Sequence, residues 1–186
     1  MDVFEAMLGR RSVGKLGGEV AADVLLRLVE VAVRAPNHRL TRPWRFTILR
    51  GEARERLGAA WAQIARRETS LEGDLREAMV QREAQKPLRA PAILVVSART
   101  DVDPVVAEED YAATSAAVQN VLLGAHALGL GAIWRTGAMA RRGEINAVLG
   151  LDPCDRIVAF VYIGIPTVLP PPAPASQIDA VVRVLA

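Results

Sequence analysis

Residues 112–134 read AATSAAVQNVLLGAHALGLGAIW, 23 consecutive positions without a formal charge. A run of that length is enough to cross a bilayer as a helix. Two features argue against that reading. Thr114, Ser115, Gln119, Asn120 and His126 interrupt the apolar surface, and the segment before it is acidic (Glu108-Glu109-Asp110) and lacks flanking basic residues. The same run fits a helix over about Glu108 to Leu128, buried at the centre of a soluble domain or dimer and closed by Gly129 as a C′ glycine. Gly131 to Arg135 then follows as a short strand. Fold class is decided at this point, because a central neutral helix leading into a strand needs both helices and a sheet around it.

Working outward, the N-terminal half is helical. Val3, Phe4, Met7 and Leu8 share one face of a helix over Asp2 to Arg10, and Leu25, Leu26, Leu28, Val29 and Ala32 mark a second over Ala21 to Arg34. Pro36 ends that helix, since the residue before a proline avoids the α region. Trp44 to Leu49 alternates as a half-buried strand. Glu52 to Glu68 and Glu72 to Gln85 are charge-rich helices, read as an excursion or lid within a single domain of 186 residues. Ala92 to Ser97 and Arg156 to Ile165 are apolar enough for central strands, with a short helix near Gly143 to Leu149 between them. Pro170-Pro171-Pro172-Ala173-Pro174 is an extended arm carrying Ile178 to Leu185 away from the body. The expected class is α+β: a mixed β-sheet flanked by helices, with a long central helix and an extended C-terminal arm.

Composition excludes several functions. One cysteine (Cys154) and two histidines (His38, His126) are too few for a disulfide framework or a Cys/His zinc site, so no metal is expected. Net charge is +2, from 23 basic and 21 acidic residues of mostly alternating sign, which describes solvated helix faces and no nucleic-acid stripe. There is no P-loop, and the glycines at 124–131 close a helix where a dinucleotide fingerprint would open one. Cys154 sits between Asp152 and Asp155, which would disfavour a thiolate. His126 reads as a core or interface residue. Met1 to Glu5 carries two acids and no basic-apolar leader, so the expected location is the cytoplasm, with no membrane partner.

Three clusters stand out. Arg10-Arg11-Ser12 offers two guanidinium forks and a hydroxyl, a donor set suited to phosphate, or else a cap on the first helix. The loop from Arg34 through His38 to Trp44 holds four Arg or His side chains, three of them between Pro36 and Pro43, either a binding loop or solvated surface. Gly129 to Gly137 puts Trp134, Arg135 and Thr136 at a strand end among small residues, where a backbone can approach a flat ring closely.

These clusters, with Asp110, Asn120-Val121-Leu122-Leu123 and Ile157 to Pro166, occur in the order and spacing of a known family. The chain resembles the nitroreductase family of flavin mononucleotide (FMN) enzymes, and most closely its short bacterial NAD(P)H branch. The resemblance implies a homodimer with FMN at the subunit interface, the neutral helix at the dimer centre and the C-terminal arm around the partner. It implies cofactor-binding roles for Arg10, Arg11 and Ser12 at the flavin phosphate and ribityl end, for Arg34 and His38 as further contacts, and for Trp134, Arg135 and Thr136 along the cofactor from the other side of the interface, with no catalytic side chain. It further implies NADH or NADPH as donor, ping-pong hydride transfer through flavin N5, and a small-molecule acceptor such as a nitroaromatic or quinone. The alternatives are reductive dehalogenation or flavin cleavage on the same fold, or a flavin-binding protein without turnover. The chain departs from the family pattern in three places: the basic residue two after the serine is replaced by Gly14, with Lys15 following; Leu40 stands where many members have an amide residue three before the Pro-Trp pair; and the basic Lys-x-Arg near the C-terminus is missing from Pro170 to Ala186.

Overall fold

The computed structural model describes residues 1–172 and 178–185. In chain order its elements are α1 (Val3–Gly9), β1 (Leu16–Gly17), α2 (Ala22–Ala32), β2 (Trp44–Arg50), α3 (Glu52–Glu68), α4 (Gly73–Gln85), β3 (Ala92–Ala98), α5 (Pro104–Ala127), β4 (Gly131–Arg135), α6 (Gly143–Leu149) and β5 (Arg156–Pro166).

Local chemistry sets the helix ends. Asp2 and Glu5 form a reciprocal capping box on α1, with N–H to carboxylate distances of 2.8 and 3.0 Å. α5 begins at Pro104, four residues before the expected Glu108. The Asp103 carboxylate accepts from the Val105 N–H at 2.9 Å and Pro104 occupies the first helical position, where a missing N–H costs nothing. Gly129, at φ +74°, follows its end. α5 is not apolar all round. Ala113, Thr114, Ala117, Val118, Val121, Leu122 and Ala125 are buried while Gln119 and Ala127 are exposed, and among the described residues no helix is long and apolar enough to cross a membrane.

β5 is the spine of a five-stranded sheet. β3 pairs along one side of it, β4 along the other, β2 pairs with β3, and β1 joins its end through Leu16 and Pro166. All these pairs are antiparallel. The parallel part expected of a mixed sheet is, among the described residues, one bridge between Ser12 and Ala132. The two-residue β1 lies below the length at which alternation can be read.

The sheet is covered on both faces, which is why β3 is apolar at nearly every position. Ala92, Leu94 and Val96 enter the core under α2 and α5, while Ile93 and Val95 enter the core under α3 and α6. The α3–α4 hairpin supplies much of the second core: Leu57, Trp61 and Ile64 are buried there, each such side chain contributing about 1.5–3 kcal/mol. Trp61 meets the Phe160 ring edge-on at 5.4 Å.

β5 carries a bulge. Val96 faces Ala159 and Ser97 faces Ile157, leaving Val158 without a β3 partner, so Val158 and Ala159 both turn into the first core. The Val158 carbonyl instead accepts the Trp134 indole N–H at 3.1 Å.

Part of the apolar surface stays uncovered. Phe4 and Leu8 on α1 are 72% and 79% exposed, and Ile178, Val181, Val184 and Leu185 of the arm are exposed as well. Ala173 and Pro174 of the proline run lie outside the described residues.

Candidate functional site

The segment after α1 crosses the sheet next to β4. The Val13 N–H donates to the Ala132 carbonyl at 3.0 Å, beside the Ser12–Ala132 bridge. Gly131 allows this approach: a Cβ there would stand 2.6 Å from Leu16 Cδ2 and 3.0 Å from Val13 Cβ. Two of the clusters, more than a hundred residues apart in sequence, are thereby joined. Further along β4, Arg135 reaches the same segment, with its Nη2 3.9 Å from where a Gly14 Cβ would be. A cation from β4 thus stands beside the position where the resemblance predicts one at residue 14.

Arg135 and Arg89 separate two hollows. One, of about 790 Å³, is formed by Val13–Leu16 and by Thr167–Pro171. The other is a cleft of about 690 Å³ between the α3–α4 hairpin and the end of β4, where Trp134, Arg135 and Thr136 all line its wall. Its back wall includes Tyr162, and the Arg135 guanidinium carbon stands 5.8 Å from that ring.

Burial pushes the Tyr162 phenol up to about 12, against the partial pull of Arg135 and Arg89. The native chain therefore keeps a proton that the unfolded chain loses near pH 10. Between about pH 10 and 12 the native state holds more protons than the unfolded state, so stability falls as pH rises, by at most about 2.7 kcal/mol. Tyr162→Phe is expected to flatten this alkaline slope in urea melts at pH 9 and pH 11.5. An unchanged slope would mean that another group titrates there.

Arg11 lines a third hollow with Leu8 and His126, and His126 Nε2 lies 3.2 Å from where a Gly9 Cβ would be. Arg10 is half-buried, and its N–H closes α1 on the Ala6 carbonyl at 3.0 Å.

The Arg34–Trp44 loop is held elsewhere. Arg39, Leu40 and Arg42 adopt φ of 51°, 53° and 48°, left-handed conformations that cost non-glycine residues on the order of 1 kcal/mol or more each. Two hydrogen bonds maintain them: Thr41 Oγ1 donates to the buried Asp110 Oδ1 at 2.5 Å, and the Arg42 N–H donates to Asn37 Oδ1 at 3.0 Å. Such strain marks functional loops. Arg34 and His38 are exposed on it, and among the described residues no hydrogen bond or ion pair links them to the other clusters. Asp110 and His126 lie about 24 Å apart along α5, at 1.5 Å of rise per residue, so this loop and the Arg11 hollow adjoin opposite parts of that helix.

Sequence reasoning missed Trp61, Lys86, Arg89 and Tyr162 as cleft residues, and Asp110–Thr41 as the loop anchor. Lys86 carried one usable signal, being one of only two lysines and directly preceding Pro87.

Comparison with known proteins matches residues 8–165 to the model of the Nitroreductase family. The Escherichia coli (strain K12) protein named "Putative NAD(P)H nitroreductase YdjA" is 30% identical over 168 residues, covering 89% of each chain. The structure of a nitroreductase-like family protein from Bacillus cereus superposes with a TM-score of 0.86 at 28% identity, over 100% of this chain and 96% of that one. A nitroreductase with bound FMN from Bacteroides fragilis NCTC 9343 shares the fold, with a TM-score of 0.77 at 19% identity over the whole of both chains.

Proposed function

The chain belongs to the nitroreductase family, and on that premise we propose that it is a homodimeric, cytoplasmic FMN-dependent NAD(P)H oxidoreductase. The observation that carries this reading is the joining of the Ser12–Leu16 segment to β4, which gathers Gly14, Trp134, Arg135 and Thr136 around two hollows that share Arg89 and Arg135 as walls, with Ser12 bridged to Ala132 beside them. The Bacteroides fragilis structure carries FMN on the same fold. The donor set fits that group: among the described residues, Arg10, Arg11 and Arg135 stand in no ion pair and are free to meet an anion.

FMN, when bound, would supply two-electron, ping-pong hydride chemistry through its N5 between NADH or NADPH and a nitroaromatic, quinone or similar acceptor. The chain's own residues bind and polarise. Arg10, Arg11 and Ser12 donate to phosphate. Trp134, fixed by its bond to the Val158 carbonyl, gives a rigid flat wall. Arg135 places positive charge where negative charge grows on reduction, the role that a basic residue at position 14 would otherwise fill. No side chain is assigned a proton, because water can protonate the product.

A second copy of the chain resolves the separation of the loop. Arg34 and His38 complete the partner's site, and the exposed apolar faces of α1 and of residues 178–185 close the interface. The purified protein is expected to be yellow and to bleach anaerobically with NADPH or NADH. A yellow protein that does not bleach would be a flavin carrier, and one left colourless after FMN is added would overturn the reading.

A further inference from the structure

The cleft between the α3–α4 hairpin and β4 has a chemical character of its own. Its walls are flat or pliable: Trp61, Met79, Trp134, Met139 and Tyr162 would sandwich a ring. Its charges do not cancel. Glu83 is engaged by Lys86, and Glu68 takes Arg142 at 2.6 Å and Arg67 at 3.5 Å. Both cleft carboxylates are therefore neutralised, while Arg89 and Arg135 form no ion pair among the described residues. Arg135 is held over the Tyr162 ring and belongs to the proposed flavin seat. Arg89 is exposed and faces the cleft with its five donors uncommitted. Trp61, 4% exposed, lines the same wall. Among charged groups the cleft thus offers donors in excess and no free carboxylate.

We propose that this cleft selects aromatic substrates bearing a carboxylate or comparable anionic group, with the ring between the aromatic walls and the anion on Arg89. The proposal names the acceptor class of the flavin enzyme described above and rests on that reading. Its chemistry is distinct from that of a nitroaromatic or quinone alone, since the anion is recognised apart from the group reduced. The phosphates of the nicotinamide donor could use the same guanidinium, so the test separates the two half-reactions.

The FMN-loaded full chain is assayed at saturating NADPH with 4-nitrobenzoate and with its neutral counterpart 4-nitrobenzamide. The carboxylate is expected to be favoured by about tenfold or more in kcat/KM, the lower end for one charge-assisted contact. Arg89→Gln is expected to bring the ratio close to one. Equal use of the two acceptors by the native enzyme would overturn the proposal, as would a ratio unchanged in Arg89→Gln. Loss of FMN from that variant would also overturn it, by making Arg89 part of the flavin seat. Slowing confined to reduction by NADPH would overturn it by giving Arg89 to the donor. A flavin-independent measurement keeps the two readings apart. Benzoate, and not benzamide, is expected to quench the tryptophan emission of the FMN-free chain, and Arg89→Gln to abolish the quench. A chain that binds no FMN yet shows this quench would sink the oxidoreductase reading and leave the anion site standing. One that binds and reduces FMN without the quench would do the reverse.

Discussion

Arg10→Ala is expected to weaken FMN binding by about 10- to 150-fold, the equivalent of roughly 1.5–3 kcal/mol for one charge-assisted hydrogen bond. The effect should fall on binding and spare the fold. Arg10 contributes to α1 only through its backbone N–H, which alanine retains, and among the described residues its guanidinium enters no ion pair. Arg10→Lys should lie between the two, since an ammonium keeps the charge and loses the bidentate fork. Arg11→Ala is expected to weaken FMN binding as well, since Arg11 belongs to the same proposed phosphate set although it also lines the hollow beside Leu8 and His126. The measurement is a titration of FMN fluorescence into the flavin-free chain, with thermal melts to show that both variants remain folded. Full flavin occupancy of Arg10→Ala after dialysis would remove phosphate from its role and leave Arg10 as a helix-terminal charge.

That prediction stands on residues visible in the sequence, and the boundary of what was visible follows physical lines. Elements with a periodic apolar signal were legible: α2 from its leucines, β3 and β5 from their apolar runs, and both helices of the hairpin. The excess of sequence-local information stops there. β1 is too short to alternate, and the bulge at Val158 depends on how β3 and β5 slide past one another. The Trp134 indole bond exists only because of that bulge. Arg39, Leu40 and Arg42 have no residue preference for positive φ, and the contacts that hold their loop, to Asn37 and to Asp110, include one that spans 69 residues. Lys86 and Arg89 were hidden for a different reason. In a segment of alternating charge every residue looks solvated, and only tertiary pairing shows which charges are spent, such as Glu68 on Arg142, and which remain, such as Arg89. The resemblance adds what periodicity does not carry, an expectation of which clusters serve one cofactor. The geometry adds that Arg34 and His38 stand apart from the others within a single chain.

Gly58→Ala is expected to destabilise the protein although it places the best helix former in the middle of a helix. Propensity alone favours alanine by about 0.8–1 kcal/mol. Against it stands the crossing of α3 and α4: a Cβ at position 58 would lie 2.3 Å from the Ala84 carbonyl oxygen, a backbone atom with no rotamer to yield. The helices must part, and overpacking of this kind costs about 1–3 kcal/mol or more. Separation also strains the fork of Arg66 on Glu77, where both contacts are 2.6 Å and tie the hairpin on its exposed side. With clash prevailing over propensity, the net loss should reach about 2 kcal/mol and lower Tm by about 4–8 °C in a chain of this size. Gly143→Ala is the control, since a Cβ there meets nothing within 4 Å and its stability should hold or rise. The consequence reaches the cleft, because Trp61 lies one turn beyond Gly58 on α3 and Met79 projects from α4 into the same wall. Gly58→Ala should therefore weaken the benzoate quench while leaving FMN affinity close to native, since the proposed flavin residues lie between α1 and β1, at the end of β4 and on the Arg34–Trp44 loop, none of them on the hairpin. A Tm that rises would show that the helices have slack at their crossing. A Tm that falls together with FMN affinity would show that the hairpin braces the whole site and not only its outer wall.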